Sequence, residues 1–363
     1  MISFSLTEEQ QMLVEAVKRY AQRSLRPAMR EADETGQMGD GVIEAGWELG
    51  LVPSAIPEQY GGFGEHAAIT GALFAEELAW GDLSAALTLL APNLLAIPIL
   101  EFGSQAQKQA LLPQFCDMTF VPATAALIEP HFKFDPYQLK TTAVRQNGHY
   151  ILNGHKSVVP LAAEAQQILI YARDNDHTQA FIVNRDTPGL TIQAREKHMG
   201  LNALATYQLT LNDCTIGADC KVGDGDGIDL TRLMNYSHVA MAALAVGVAK
   251  ASYEYALAYA KEREAFGEPI ASRQAIAFML AEMAIEIEAT RLMVWEAAWQ
   301  LDQGQEATAA AHLVKRYADD MVLTVTDNGV QVLGGHGYIR EHPVELWLRN
   351  GRGFGVLQGL AII

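Results

Sequence analysis

Apolar and polar positions fall into three textures along the chain. Up to about residue 120 the spacing is helical. Leu13, Val17 and Tyr20 recur on one face behind Thr7-Glu8-Glu9-Gln10, a capping-box pattern whose side chains satisfy the free amides of a helix start. Tyr60-Gly61-Gly62-Phe63-Gly64 interrupts as a loop, and residues 74–80 resume the helical period. Residues 83–100 carry no charge, a run long enough to span a bilayer. Because Pro92, Asn93 and Pro98 lie inside it, two buried helices joined at Pro92-Asn93 are expected instead.

From about 121 to 225 the chain breaks into short β-rich runs at 148–152, 168–172, 180–183, 190–193 and 207–211. Asn147-Gly148, Asn153-Gly154 and Pro188-Gly189 punctuate them as turns. No helix-length segments alternate with these runs, so a small antiparallel sheet is expected rather than a doubly wound parallel one. Asp224-Gly225-Asp226-Gly227 opens a third, helical region. There Ile276, Leu280, Met283 and Ile287 step by 4, 3 and 4 along one face, and residues 237–249 are almost wholly apolar, as in a central bundle helix. The expected architecture is α+β, with domains at residues 1–120, 121–225 and 226–363.

Composition narrows the function. Half of the 363 residues are apolar and 19% are charged, which excludes disorder as the main state. The 26 basic against 43 acidic residues give a net charge of −17. Such a surface repels phosphate backbones and anionic lipid, so neither nucleic-acid binding nor membrane insertion is expected. Cys116, Cys214 and Cys220 lack metal or disulfide spacing and read as buried or free thiols of a reducing compartment. The opening residues show no secretory pattern, and a cytoplasmic protein is expected. G-x-G-x-x-G, the P-loop, H-E-x-x-H and G-x-S-x-G are all absent from the sequence. The ten histidines form no recognisable triad or metal set.

A series of strings, in order from end to end, resembles the acyl-CoA dehydrogenase family. They include Phe4-Ser5-Leu6-Thr7-Glu8-Glu9-Gln10, Pro57-Glu58-Gln59-Tyr60-Gly61-Gly62, Glu129-Pro130, Asn153-Gly154-His155-Lys156 and Lys197-His198-Met199-Gly200. Arg263-Glu264-Ala265-Phe266-Gly267, Gln274, Gln331-Val332-Leu333-Gly334-Gly335-His336-Gly337-Tyr338 and His342-Pro343-Val344-Glu345 complete the series. The resemblance implies an N-terminal helical domain, a middle antiparallel β-barrel-like domain and a C-terminal four-helix bundle, assembled as tetramers with FAD at a subunit interface. It implies oxidation of acyl thioesters, carried by CoA or a carrier protein, in which a glutamate removes the α-proton. Arg263, Phe266, Gly267, Gln274, Gln331, Gly334, Gly335 and Gly337 match positions that contact the ADP half of a neighbouring subunit's FAD. Read without the resemblance, the glycines would end a helix and Arg263 would be a surface ion.

The chain departs from the family pattern at the chemistry. Gln358 stands in the base's place, and a carboxamide cannot take up a proton. The family's alternative base, just before an arginine on the first bundle helix, is replaced by Ser237-His238. On the flavin-ring side Ile128, Lys133-Phe134-Asp135, Val158-Val159-Pro160 and Asn202-Ala203-Leu204 replace family signatures. Pro160 has no N–H to offer. The expected function is a base-less, catalytically silent subunit of a homo- or hetero-tetramer, with FAD held weakly or shared with a partner. The alternatives are an active dehydrogenase using His238 as substitute base, or a flavin monooxygenase on the same scaffold.

Overall fold

The computed structural model describes residues 5–223 and 227–363. Phe4 and the turn residues Asp224-Gly225-Asp226 lie outside the described residues. Seven helices come first: α1 (Glu8–Tyr20), α2 (Arg26–Thr35), α3 (Val42–Trp47), α4 (Ala68–Gly81), α5 (Leu83–Leu90), α6 (Asn93–Phe102) and α7 (Gln105–Leu111). The capping box forms as read: Thr7 Oγ1 accepts from the Gln10 amide at 3.2 Å, and Gln10 Oε1 accepts from the Thr7 amide at 3.0 Å. The uncharged run divides at Ala91-Pro92 into α5 and α6, and residues 83–102 lie almost wholly inside the protein.

Seven strands follow: β1 (Thr124–Ala126), β2 (Thr142–Gln146), β3 (His149–Pro160), β4 (Gln167–Asp174), β5 (His177–Asn184), β6 (Leu190–Arg195) and β7 (Thr206–Gly217). They form one sheet of order β1-β4-β2-β3-β7-β6, with β5 also on β4. The sheet is mixed, not purely antiparallel, because β1 and β2 both run parallel to β4. Parallel partners need a long crossover, and the β2–β3 hairpin supplies it between β1 and β4. The apolar run of β4 is explained by burial on both faces. Ile168, Ile170 and Ala172 pack inside the sheet domain, whereas Leu169 and Tyr171 join the core shared with the helices.

The third region contains α8 (Leu230–Glu262), a two-residue hairpin of β8 (Glu264–Ala265) and β9 (Glu268–Pro269), α9 (Gln274–Asp302), α10 (Thr308–Leu333) and α11 (Val344–Gly351). The four-helix arrangement implied by the resemblance becomes three long helices with a short α11, and α4 packs against α8 and α9. Leu280, Met283 and Ile287 turn inward as their spacing required.

Gly247 of α8 permits the close α8–α4 crossing. A Cβ built there falls 2.2 Å from the Glu76 carbonyl oxygen and 2.9 Å from the Trp80 nitrogen. Both are backbone atoms, so no rotamer change relieves the overlap. Overpacking costs about 1–3 kcal/mol or more, and better helix propensity returns about 1 kcal/mol. Gly247→Ala should therefore lower stability by about 2 kcal/mol in urea unfolding, against the usual gain from removing a helical glycine.

Candidate functional site

Two separate places carry the family-like residues: an apolar junction at the segment following Gln358, and an exposed end of the C-terminal helices.

The loop after α11 that carries Gln358 is clamped from both sides. Arg349 donates to Asp33 at 2.6 and 3.1 Å and to Glu345 at 2.7 Å, and Asp33 also accepts from Arg340 and Asn202, each at 3.0 Å. This ties α11 to α2 and to the Lys197-His198-Met199-Gly200 segment, where Asn350 Oδ1 accepts from the Leu201 amide at 2.8 Å. Gln358 itself is half-buried, and its side chain has no hydrogen-bond partner among the described residues. The cavity at this junction, between α6, α8 and the Gly359–Ile362 backbone, is about 20 Å³, lined by Leu94, Leu127, Met234, Ser237, Ala361 and Ile362 among others. That is room for about one water molecule. Leu360, Ala361, Ile362 and Ile363 are all buried, the Ile362 carbonyl accepts from Asn93 Nδ2 at 3.2 Å, and Ile363 lies against Gly71. Among the described residues the only titratable group on the cavity wall is the phenol of Tyr171, whose pKa burial drives upward.

Ser237 and His238 separate at this point. Ser237 lines the cavity, whereas the neighbouring ring of His238 packs edge-on to His312 of α10 at 4.4 Å. Burial, His312 and Lys315 push the His238 pKa down to about 4, and its Nδ1 is buried without a partner. The two side chains thus point into different surroundings, because successive helical residues are about 100° apart.

Beside the junction, Lys156 is fully buried and donates to Glu129 Oε1 and the Leu127 carbonyl, both at 3.1 Å. Glu129 also accepts from the Lys140 and Thr141 amides at 2.8 Å. Desolvation is the largest influence on both groups; it holds the Lys156 pKa down at about 8, while the Lys156 charge and these amides outweigh it at Glu129 and draw that carboxyl to about 2. On the same strand Val158 adopts φ +54°, a conformation rare for a β-branched residue. Its amide donates to Glu196 Oε2 at 3.0 Å. Sequence reasoning missed both Glu196 and the Asp33–Arg349 clamp. The one signal available was a lone lysine in an otherwise apolar strand end.

At the exposed end, Arg263 follows α8 and has no side-chain partner among the described residues. Phe266 and Gly267 form the hairpin turn with φ +57° and +84°, and the Phe266 ring is 97% exposed. Gln274 starts α9, and Gln331 lies exposed near the end of α10. The Tyr259 hydroxyl and His336 Nδ1, 3.2 Å apart, fasten the Gly334–Tyr338 turn to α8. A Cβ added at Gly334 or Gly335 meets nothing within 4 Å, and Gly334 has φ +56°. These two glycines leave open backbone where a ligand can approach. Gly337 differs: a Cβ there falls 2.3 Å from the Val330 carbonyl oxygen, so its glycine serves packing.

Family models for the acyl-CoA dehydrogenase N-terminal, middle and C-terminal domains match residues 7–119, 124–214 and 223–361. The chain belongs to the acyl-CoA dehydrogenase family. It is 35% identical over 371 residues to the Bacillus subtilis (strain 168) protein named Probable acyl-CoA dehydrogenase YngJ, covering 100% of this chain and 97% of that protein. The solved butyryl-CoA dehydrogenase of Megasphaera elsdenii superposes with a TM-score of 0.90 at 31% identity, over 98% of this chain and 95% of the other. The FAD complex of PigA superposes equally well, at 26% identity over the same shares. A family flavoprotein scaffold is thus present.

Proposed function

We propose that this chain is a catalytically silent acyl-CoA dehydrogenase-type subunit, which supplies ADP-side contacts to the FAD of an intact homologous partner. One observation carries the reading: the cavity of about 20 Å³ lined by Gly359, the residue after Gln358, has no carboxylate among its described lining residues. Removing an α-proton beside a thioester requires a positioned base and a polarised carbonyl. A carboxamide cannot accept that proton, and residues 360–363 are buried beside this cavity rather than leaving it open. When bound, FAD supplies the hydride acceptor for such a dehydrogenation. Arg263, Gln274, Gln331 and the open backbone at Gly334 and Gly335 suit the nucleotide half, since an unpaired guanidinium matches phosphate geometry. The flavin-ring side fits less well, with Pro160 lacking an N–H and the Val158 amide engaged by Glu196.

The test is flavin stoichiometry and anaerobic bleaching. The chain purified alone should hold well under one FAD per chain and should not bleach with butyryl-CoA. Co-expression with an intact homologue should restore both. Stoichiometric FAD together with bleaching by the lone chain would overturn the reading, and His238 would return as the candidate base.

A further inference from the structure

A cavity of about 680 Å³ opens between α2, α4, α8 and the residues that lead into α11. That is the size of site that holds a small organic molecule. Met29, Trp80, Tyr255 and Pro343 supply much of its apolar wall, and none of the residues matched to the nucleotide site lines it. Its distinctive polar group is Arg26, whose guanidinium lies 3.9 Å from the centre of the Trp80 ring and 4.7 Å from that of Trp347. The guanidinium donates to the Trp80 carbonyl, while its Nε is buried without a partner. Its polar contacts among the described residues include no ion pair. Burial holds the Arg26 pKa down at about 10, so the group stays cationic at neutral pH. The other charges on the wall are engaged: Arg30 with Glu345 at 2.6 Å, Arg340 with Asp33 at 3.0 Å, and Glu254 as acceptor from Trp80 Nε1 at 2.7 Å. Indole faces compensate a cation only in part, and a charge drawn out of water calls for a counter-ion.

We propose that this cavity binds a small monocarboxylate with an apolar body, its carboxylate on Arg26. Guanidinium and carboxylate match in shape and charge. The apolar wall favours a hydrocarbon or aromatic body over a bare, strongly hydrated ion. Glu254 and Glu341 lie on the same wall and repel an anion, which favours one negative charge over two.

Isothermal titration calorimetry of the full chain with phenylbutyrate tests this, with the neutral amide phenylbutyramide as the matched control. The acid should bind saturably, and the amide about tenfold more weakly, because it lacks the charge that Arg26 meets. Arg26→Met should weaken the acid about tenfold and leave the amide unchanged. Glu254→Gln keeps Arg26 and an acceptor for Trp80 Nε1 but removes a repelling charge. It should tighten the acid about threefold, a gain that shrinks as salt screens it. That second variant decides the matter even where Arg26→Met lowers the thermal melt, since a merely structural Arg26 gives no reason for Glu254→Gln to raise affinity. Equal binding of acid and amide, no saturable binding of the acid, or an affinity that Glu254→Gln leaves unmoved would overturn the site. Flavin content plays no part in these readings, so they stand apart from the silent-subunit reading.

Discussion

Lys156→Ala should destabilise the protein by about 4 kcal/mol, because breaking a buried ion pair from one side leaves an uncompensated charge. Glu129, with its side chain 2% exposed, would keep the Lys140 and Thr141 amides but lose its cation. Lys156→Met fills the volume yet still leaves the carboxylate, so most of the loss should remain. Lys156→Met/Glu129→Gln removes the charge while keeping an acceptor for the amides, and should cost clearly less than the two single changes added together. The same pair sets an acid limit. Glu129 has a folded pKa near 2 against an ordinary value of 4.5. Its contribution is therefore complete above pH 4.5 and disappears as the pH falls toward 2, amounting to about 3 kcal/mol. Urea unfolding of wild type and Glu129→Gln between pH 6 and 3 checks this: the acid-dependent loss should be smaller in the variant.

The pair also shows what could be read from the sequence and what could not. Helices with a single buried face were legible, as with Leu280, Met283 and Ile287, because a 3.6-residue period has one solution. The break at Pro92 was legible because proline removes a backbone donor. Strand β1 was not, since three residues are too few to show alternation, and its parallel place beside β4 depends on a partner more than 40 residues away. The family strings identified Gln358, but its surroundings are non-local. Nothing in the apolar run around Ser237 and His238 says which of the two faces the cavity, because α8 is buried on nearly every side there. The packing of residues 360–363 against α4 and α6 is equally invisible in a stretch of four apolar letters. Electrostatic partners such as Asp33 and Arg349, 316 residues apart, are legible only in three dimensions.

In a mixed oligomer with an intact homologue, Arg263→Ala should weaken flavin retention by about 10- to 100-fold. The estimate follows from losing hydrogen bonds between charged groups, worth about 1.5–3 kcal/mol. The direction comes from geometry. Arg263 is exposed and unpaired, so its removal leaves no buried charge behind and should spare the fold. It lies beside the Phe266-Gly267 turn and is linked through the α8 end to the open backbone at Gly334 and Gly335. Arg316→Ala supplies the control, since Arg316 is also exposed and its ion pair among the described residues is with the exposed Asp320 at 3.7 Å. Flavin released on dilution, followed by fluorescence, should separate the two variants while their thermal melts without flavin coincide. Equal flavin loss from both would mean that general surface charge holds the nucleotide. Retention by both would remove Arg263 from the nucleotide site, and with it the reason for a silent chain to keep this surface.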